Sequence, residues 1–301
     1  MTSINIRESL IPELGNRVAL ITGGASGIGY AAACIMAAKG ATVHVLDLSL
    51  PDSEEHKSHL NIIFHVVDIS DWAQLRDKFA EIGRIDYAFA NAGVTEETNY
   101  FADTFDDKGN LLEPSNRILD VNFKGPINLI KLAWSSMKAH GVAGSIVLTT
   151  SATAYAPEQS LPVYAGAKHG LIGLIRALRS IIAGDNITIN GVAPAATITK
   201  LLPQDLAAPI IAMGLPVSSA HFVGLALVFS ATAKQARRVE PYGKETEKDA
   251  LAEERWNGRV ILTLGDQYTE MEGPLAELRP FWFGRSNLEL TRLQQAATDF
   301  R

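Results

Sequence analysis

Tyr164 and Lys168 stand four residues apart in PVYAGAKHGLIG, the stretch from Pro162 to Gly173. Residues at that spacing share one face of a helix. A phenol beside an ammonium can move a proton, because the positive charge favours the phenolate. By themselves two such residues are more often neighbours on a wet helix face. The rest of the chain has to decide.

A second stretch supplies the other half of a redox reaction. TGGASGIG (Thr22–Gly29) lies between an apolar run and a helical pattern. Glycines there permit a tight strand-to-helix turn and let backbone N–H groups approach a pyrophosphate. The helix N-terminus that follows adds partial positive charge. Asp47 ends the next apolar run, 18 residues after Gly29. An acid there accepts hydrogen bonds from adenosine ribose hydroxyls and repels a 2′-phosphate. The loop carries no Arg or Lys to neutralise such a phosphate, so NAD is expected over NADP. Asp68, at the end of the third run, reads either as a contact to the adenine edge or as a turn former.

The elements that must position these residues alternate between strand and helix. Strand-like runs are VALITG (Val18–Gly23), TVHVLDL (Thr42–Leu48), NIIFHVVDI (Asn61–Ile69), IDYAFANAG (Ile85–Gly93), GSIVLTTSA (Gly144–Ala152), NITINGVAP (Asn186–Pro194) and GRVILTLG (Gly258–Gly265). Helical patterns fall at Ile28–Gly40, Asp71–Gly83, roughly Pro114–His140 and Pro162–Ala183. Such alternation predicts an α/β, doubly wound Rossmann fold: one seven-stranded parallel sheet with helices on both faces. The strands are almost continuously apolar, as buried parallel strands are. The whole of residues 1–301 is expected to be one domain, with a cofactor half over about 14–150, a catalytic and substrate half over about 151–270, and a C-terminal tail over 271–301.

With these motifs in order, the chain resembles the short-chain dehydrogenase/reductase family. The resemblance rests on TGGASGIG, Asp68, NAG at Asn91–Gly93, Asn122 in DVNFKG, Ser151 in VLTTSA and YAGAK at Tyr164–Lys168, and covers roughly Val18 to Thr199. The charged insert and aromatic tail make it similar to fungal members like 15-hydroxyprostaglandin dehydrogenases. The resemblance implies a catalytic set of Asn122, Ser151, Tyr164 and Lys168. Tyr164 is then the general base for alcohol oxidation, and Lys168 lowers its pKa. An ammonium about 4 Å away is worth up to ~4 kcal/mol at an effective dielectric near 20, or roughly three pKa units. Ser151 orients the substrate oxygen. Asn122 holds a water linking Lys168 to solvent, which requires a local distortion of its helix.

The same resemblance implies an NAD site made of Thr22, Gly23, Ser26, Gly27, Ile28, Gly29, Asp47, Asp68, Ile69, Asn91, Ala92, Gly93, Tyr164, Lys168, Pro194, Thr197 and Thr199. Asn91 is expected mainly to brace the sheet. One departure stands out: Pro194-Ala195 replaces the family's Pro-Gly. The Cβ of Ala195 resists any φ > 0 conformation, so the backbone near the nicotinamide is expected to differ.

Composition excludes several other classes. The 301 residues are 47% hydrophobic and 20% charged with a net charge of −6. That is ordinary for a globular protein and offers no basic surface for nucleic acid. One cysteine, Cys34, permits no internal disulfide and fits a reducing compartment. The opening MTSINIRESLIPELGNR lacks the apolar core of a secretory signal, and no apolar run spans a bilayer. A cytoplasmic location follows as the expectation. No metal site is expected, since His56 and His59 lack further ligands.

On the substrate side, KLLPQDLAAPIIAMGLP (Lys200–Pro216) is apolar and poor in charge, either a lid for a hydrophobic alcohol or ketone or simply core. The helix from Pro162 is apolar almost all round, and in the family it pairs with its symmetry mate, so a homodimer or homotetramer is expected. Lys234–Gly258 reads as a solvated loop with at most a short helix. Phe281, Trp282 and Phe283 in the tail should bury against the same subunit or a partner. The leading expectation is NAD-dependent oxidation of a hydrophobic secondary alcohol in specialised metabolism. The alternatives are a ketoreductase, a cofactor-binding sensor, and a scaffold for cyclisation or isomerisation.

Overall fold

The computed structural model describes residues 2–51, 61–96, 98–251 and 253–299. His56 and His59 lie outside them. The described strands are β1 (Ser3–Ile4), β2 (Val18–Thr22), β3 (Thr42–Asp47), β4 (Ile62–Val66), β5 (Tyr87–Ala90), β6 (Ser145–Thr149), β7 (Thr188–Pro194), β8 (Lys234–Gln235), β9 (Glu254–Arg255), β10 (Val260–Leu264) and β11 (Gln267–Glu270). The α-helices of more than one turn are α1 (Gly27–Ala38), α2 (Trp72–Ile82), α3 (Gly125–Ala139), α4 (Pro162–Ile182), α5 (Gln204–Ala212), α6 (Ala220–Thr232), α7 (Glu272–Glu277), α8 (Arg279–Trp282) and α9 (Arg285–Ala297).

The main sheet runs β1-β11-β10-β7-β6-β5-β2-β3-β4. All seven predicted strands are there, mutually parallel from β4 to β10. The sheet nevertheless has nine strands rather than seven, because β11 and then β1 add antiparallel at the β10 edge. The added hairpin turns on Gly265, whose φ of +61° glycine adopts readily for want of a Cβ.

Side chains alternate across the sheet, as strand geometry demands. Ala19, Ile21, Val43, Val45, Phe89 and Val147 face α1 and α6. Leu20, Leu46, Ala88, Ala90, Ile146 and Leu148 face α2, α3 and α4. Both faces are therefore covered, which is why the strands read as continuous apolar runs. The strand order reverses between β2 and β5. A crevice opens there beyond the carboxyl ends of the strands, where open α/β sheets bind ligands.

Three expectations change. The Lys234–Gly258 segment contains no described helix; β8 and β9 close it as a small antiparallel ladder. Its charges pair inward, with Arg238 on Glu254 and Glu245, and Trp256 and Val239 are buried. The aromatic tail does not bury within its own chain: Phe281 is 77% exposed and Trp282 63%. The apolar Lys200–Pro216 segment is not core either. Leu206, Ile211, Met213 and Leu215 are exposed, on or just after α5.

Gly224 of α6 meets α1 most closely. A Cβ built there would lie 2.9 Å from both Ala31 Cβ and the Ala32 backbone nitrogen. Overpacking of this kind costs about 1–3 kcal/mol, which in a chain of this size lowers the melting temperature by about 5 °C. Gly224→Val should show that loss by thermal unfolding. An unchanged midpoint would contradict the packing of α1 on α6.

Candidate active site

The crevice is a cavity of about 850 Å³. Gly23, Ser26, Gly27, Ile28, Asp47, Asp68, Ile69, Asn91, Ala92, Gly93, Ser151, Tyr164, Lys168, Pro194, Thr197 and Thr199 all line it. The sequence-predicted residues thus converge on one space, although they come from most of the chain. Thr22, Gly29 and Asn122 do not line it and stand behind its wall.

The glycine loop owes its shape to close backbone approach. Gly23 has φ +67°, and a Cβ there would sit 2.6 Å from Ala92 Cα. At Gly29 a Cβ would meet Gly23 O at 2.3 Å, so α1 packs directly on the loop. Ser26 caps α1 without using its own side chain on the helix. The first-turn N–H groups are therefore not claimed by that cap and face the cavity end of the helix. Asp47 Oδ2 accepts from Ala25 N at 3.1 Å, so the acid also steadies the loop. Asp68 accepts from both the N–H and the hydroxyl of Ser70, the turn-forming role anticipated as one alternative. Thr199 faces Gly27 across the crevice.

Thr22 and Asn91 brace the strand ends. The Thr22 hydroxyl donates to Phe89 O and accepts from Asn91 N and Ala92 N. The Asn91 amide donates to Thr22 O and Gly23 O, and its carbonyl accepts from Thr149. One side chain thus ties β2, β5 and β6 together at the cavity floor. Ala195 needs no unusual backbone: Asn16 and Asn186 are the described non-glycine residues with positive φ. The expected backbone difference at Pro194-Ala195 therefore does not take the form of a left-handed residue.

Tyr164 and Lys168 occupy the first two turns of α4. Lys168 is 3% exposed. Its Nζ donates to Thr149 O at 2.8 Å and lies 5.6 Å from the Tyr164 ring centroid. Burial alone pulls the Lys168 pKa down to about 8. The Tyr164 phenol is raised by burial, against a smaller lowering by its hydrogen bond with Ser151. Within the protein alone, desolvation of the phenolate wins.

Asn122 sits in a π-helical turn, Asp120–Lys124, that leads into α3. The distortion expected for it is present. Its side chain is fully buried and binds both backbone groups of Val94, accepting from N at 2.9 Å and donating to O at 2.7 Å. Gly93 separates Asn122 from Lys168: a Cβ there would lie 3.2 Å from Asn122 Oδ1 and 3.6 Å from Lys168 Nζ.

Two residues escaped the sequence reading. The N–H and hydroxyl of Thr153 donate to Ser151 Oγ at 3.2 and 2.9 Å. With both lone pairs engaged, the Ser151 proton is left to point elsewhere. A hydroxyl two residues past a strand-end serine was the available signal. Glu96 accepts from Val163 N and Tyr164 N at 3.3 and 3.2 Å. It caps α4, whose own N-cap Leu161 has no capping side chain. Its distance in sequence left no signal.

Comparison with known proteins agrees with this geometry. Residues 17–208 match the short chain dehydrogenase family. The chain is 57% identical over 301 residues to "Short-chain dehydrogenase/reductase prx4" of Penicillium roqueforti, covering 100% of this chain and 90% of that protein. It is 48% identical over 309 residues to "Short-chain dehydrogenase/reductase ATR7" of Stachybotrys chlorohalonatus, covering 100% and 95%. A solved short chain dehydrogenase/reductase family protein superposes with a TM-score of 0.65 at 25% identity, covering 83% of this chain and 97% of that one. A putative 2-deoxy-D-gluconate 3-dehydrogenase from Agrobacterium tumefaciens, solved with bound NADP, superposes with a TM-score of 0.62 at 25% identity, covering 73% and 90%. Match, identity and geometry together make this chain a member of the short-chain dehydrogenase/reductase family, an NAD(P)-dependent oxidoreductase.

Proposed function

We propose that the protein oxidises a hydrophobic secondary alcohol to a ketone with NAD. The observation that carries this reading is the convergence of Ser151, Tyr164 and Lys168 on the wall of a cavity that also holds the Gly23, Ser26 and Gly27 cradle. NAD, when bound, accepts the hydride from the carbinol carbon. Gly23, Ser26 and Gly27 would hold its pyrophosphate, and Asp47 its adenosine ribose.

The remaining chemistry belongs to the chain. Ser151, fixed by Thr153, donates its proton to the substrate oxygen or to Tyr164. Tyr164 takes the alcohol proton as hydride leaves carbon. Lys168 supplies positive charge behind it, and Asn122 fixes the Val94 backbone beside Lys168. Because burial raises the phenol, the oxidising state needs the positive charge of a bound oxidised cofactor in addition to Lys168. The same raised phenol suits the reverse reaction, in which Tyr164 is the acid that protonates a ketone oxygen. This supports ketone reduction as the second reading.

NAD is favoured because Asp47 carries negative charge where a 2′-phosphate would sit. Leu46, Leu48 and Ile69 on the nearby wall bring no compensating cation. A hydrophobic substrate is favoured by Val94, Leu161, Leu201 and Leu202 on the opposite wall. The face of α3 and α4 has an apolar groove of about 580 Å³ between Ile127, Trp134, Leu174 and Leu178, suited to the same groove of a second copy in a homodimer. No helix among the described residues is long and apolar enough to cross a membrane, and with a single cysteine we place the protein in the cytoplasm.

Two substitutions test the reading. Tyr164→Phe should lower kcat by about 10²–10⁴-fold, the usual worth of general acid–base catalysis, while NAD still binds in a fluorescence titration. Residual turnover near wild type would overturn the base assignment. Asp47→Ala removes charged hydrogen bonds worth about 1.5–3 kcal/mol, so the KM for NAD should rise at least tenfold or so while NADP use improves. A wild type that already prefers NADP would overturn the role given to Asp47.

A further inference from the structure

Three of the candidate catalytic groups, Ser151, Tyr164 and Lys168, sit on two elements, α4 and the turn that follows β6. That turn is a single 3-10 turn, Ala152–Ala154. It is closed by Ala154 N to Ser151 O at 3.0 Å and Tyr155 N to Ala152 O at 2.9 Å. One turn has little rigidity of its own, so the position of Ser151 depends on what grips it from outside. His169, next to Lys168 on α4, places Nδ1 2.8 Å from Ala154 O. The other grip comes from much further along the chain.

The Tyr155 phenol donates to Glu272 Oε1 at 2.9 Å, across 117 residues of sequence. Glu272 opens α7, and only 2% of it is exposed. Arg176 donates to the same carboxylate in bidentate fashion, Nε to Oε2 at 2.7 Å and Nη2 to Oε1 at 2.8 Å. Arg179 Nη1 lies 3.7 Å from Oε2. Glu240, in the charged segment between β8 and β9, pairs with both Arg179 and Arg279. One buried carboxylate therefore joins the Ser151 turn, the helix that carries Tyr164 and Lys168, and the C-terminal segment.

A buried ion pair is weak evidence for net stability, because desolvation offsets the attraction. A bidentate Arg–carboxylate pair does fix geometry, since both partners must meet in one plane. The Tyr155 phenol is raised far above its ordinary range by burial and by the Glu272 charge, so it remains a donor throughout the working pH range.

We propose that Glu272 and Tyr155 form a positioning strut through which the C-terminal segment sets the Ser151 hydroxyl against Tyr164. Neither residue touches the cavity wall; both act through the turn. This rests on the reading of Ser151 as the hydroxyl that orients the substrate oxygen.

The test uses the full-length chain with Tyr155→Phe, which keeps the ring and deletes one O–H. The probe is a straight-chain or cyclic secondary alcohol that wild type turns over with NAD. Removing the donor should lower kcat by about fivefold or more while the KM for NAD stays within about twofold, the pattern of a group that acts on the chemical step. In a Ser151→Ala background the same change should cost less than about twofold, because coupled residues are non-additive. Amide hydrogen exchange at Ser151–Ala156 should also quicken in the variant. An unchanged kcat, an equal loss in both backgrounds, or unchanged exchange at the turn would each overturn the strut. A wild type that turns over no alcohol with either cofactor would instead remove the redox reading, and the exchange measurement alone would then decide the strut.

Discussion

The buried ammonium of Lys168 is the constraint around which the rest of the site is arranged. A charge in a low-dielectric interior is costly unless other groups stabilise it. Here a single backbone carbonyl, Thr149 O, accepts from it, and burial pulls its pKa towards neutrality. The phenol of Tyr164 feels the same desolvation in the opposite sense. Burial thus disfavours the charged form of both groups. Positive charge added at the cavity by a bound oxidised nicotinamide would oppose the raising of the phenol, which is what a base near neutral pH needs.

What places this pair gathers at the carboxyl ends of the strands. The reversal of strand order between β2 and β5 opens the crevice. Asn91 ties β2, β5 and β6 at its floor, and the π-turn at Asp120–Lys124 delivers Asn122 to the backbone of Val94. Gly93 leaves just enough room between Asn122 and Lys168. Glu96 caps the helix that carries the pair. The chemistry sits on α4 and one short turn, and the remainder of the chain limits how far those two can move.

The seven parallel strands were legible because burial on both faces leaves continuous apolar runs between turn residues. β1 and β11 were not. They are short, and Gln267-Tyr-Thr-Glu270 alternates exposed and buried positions instead of running continuously apolar. The Gly265-Asp266 turn was the missed hairpin signal. The candidate site residues were legible because the glycine loop, Asn91–Gly93, Asn122, Ser151 and Tyr164–Lys168 fall in one order that resembles the short-chain dehydrogenase/reductase family. Glu96 and the Tyr155–Glu272 contact were not, because nothing local marks a partner 67 or 117 residues away. The charged run at Lys234–Gly258 is largely the solvated loop its composition suggested, with Lys234, Arg237, Lys248 and Glu253 exposed; the pairings of Arg238 and Glu240 were not legible in it.

The account centres on a phenol that the protein raises and the cationic nicotinamide ring of a bound oxidised cofactor lowers. Its most direct test is the titration of Tyr164 itself, followed by NMR of ¹³C-labelled tyrosine with Tyr164→Phe to assign the signal. Without cofactor the phenol should titrate above its ordinary value. With saturating NAD in the oxidised form it should fall by about two pKa units or more, as a nearby positive charge requires. A Tyr164 titration that does not move when oxidised NAD binds would contradict the account.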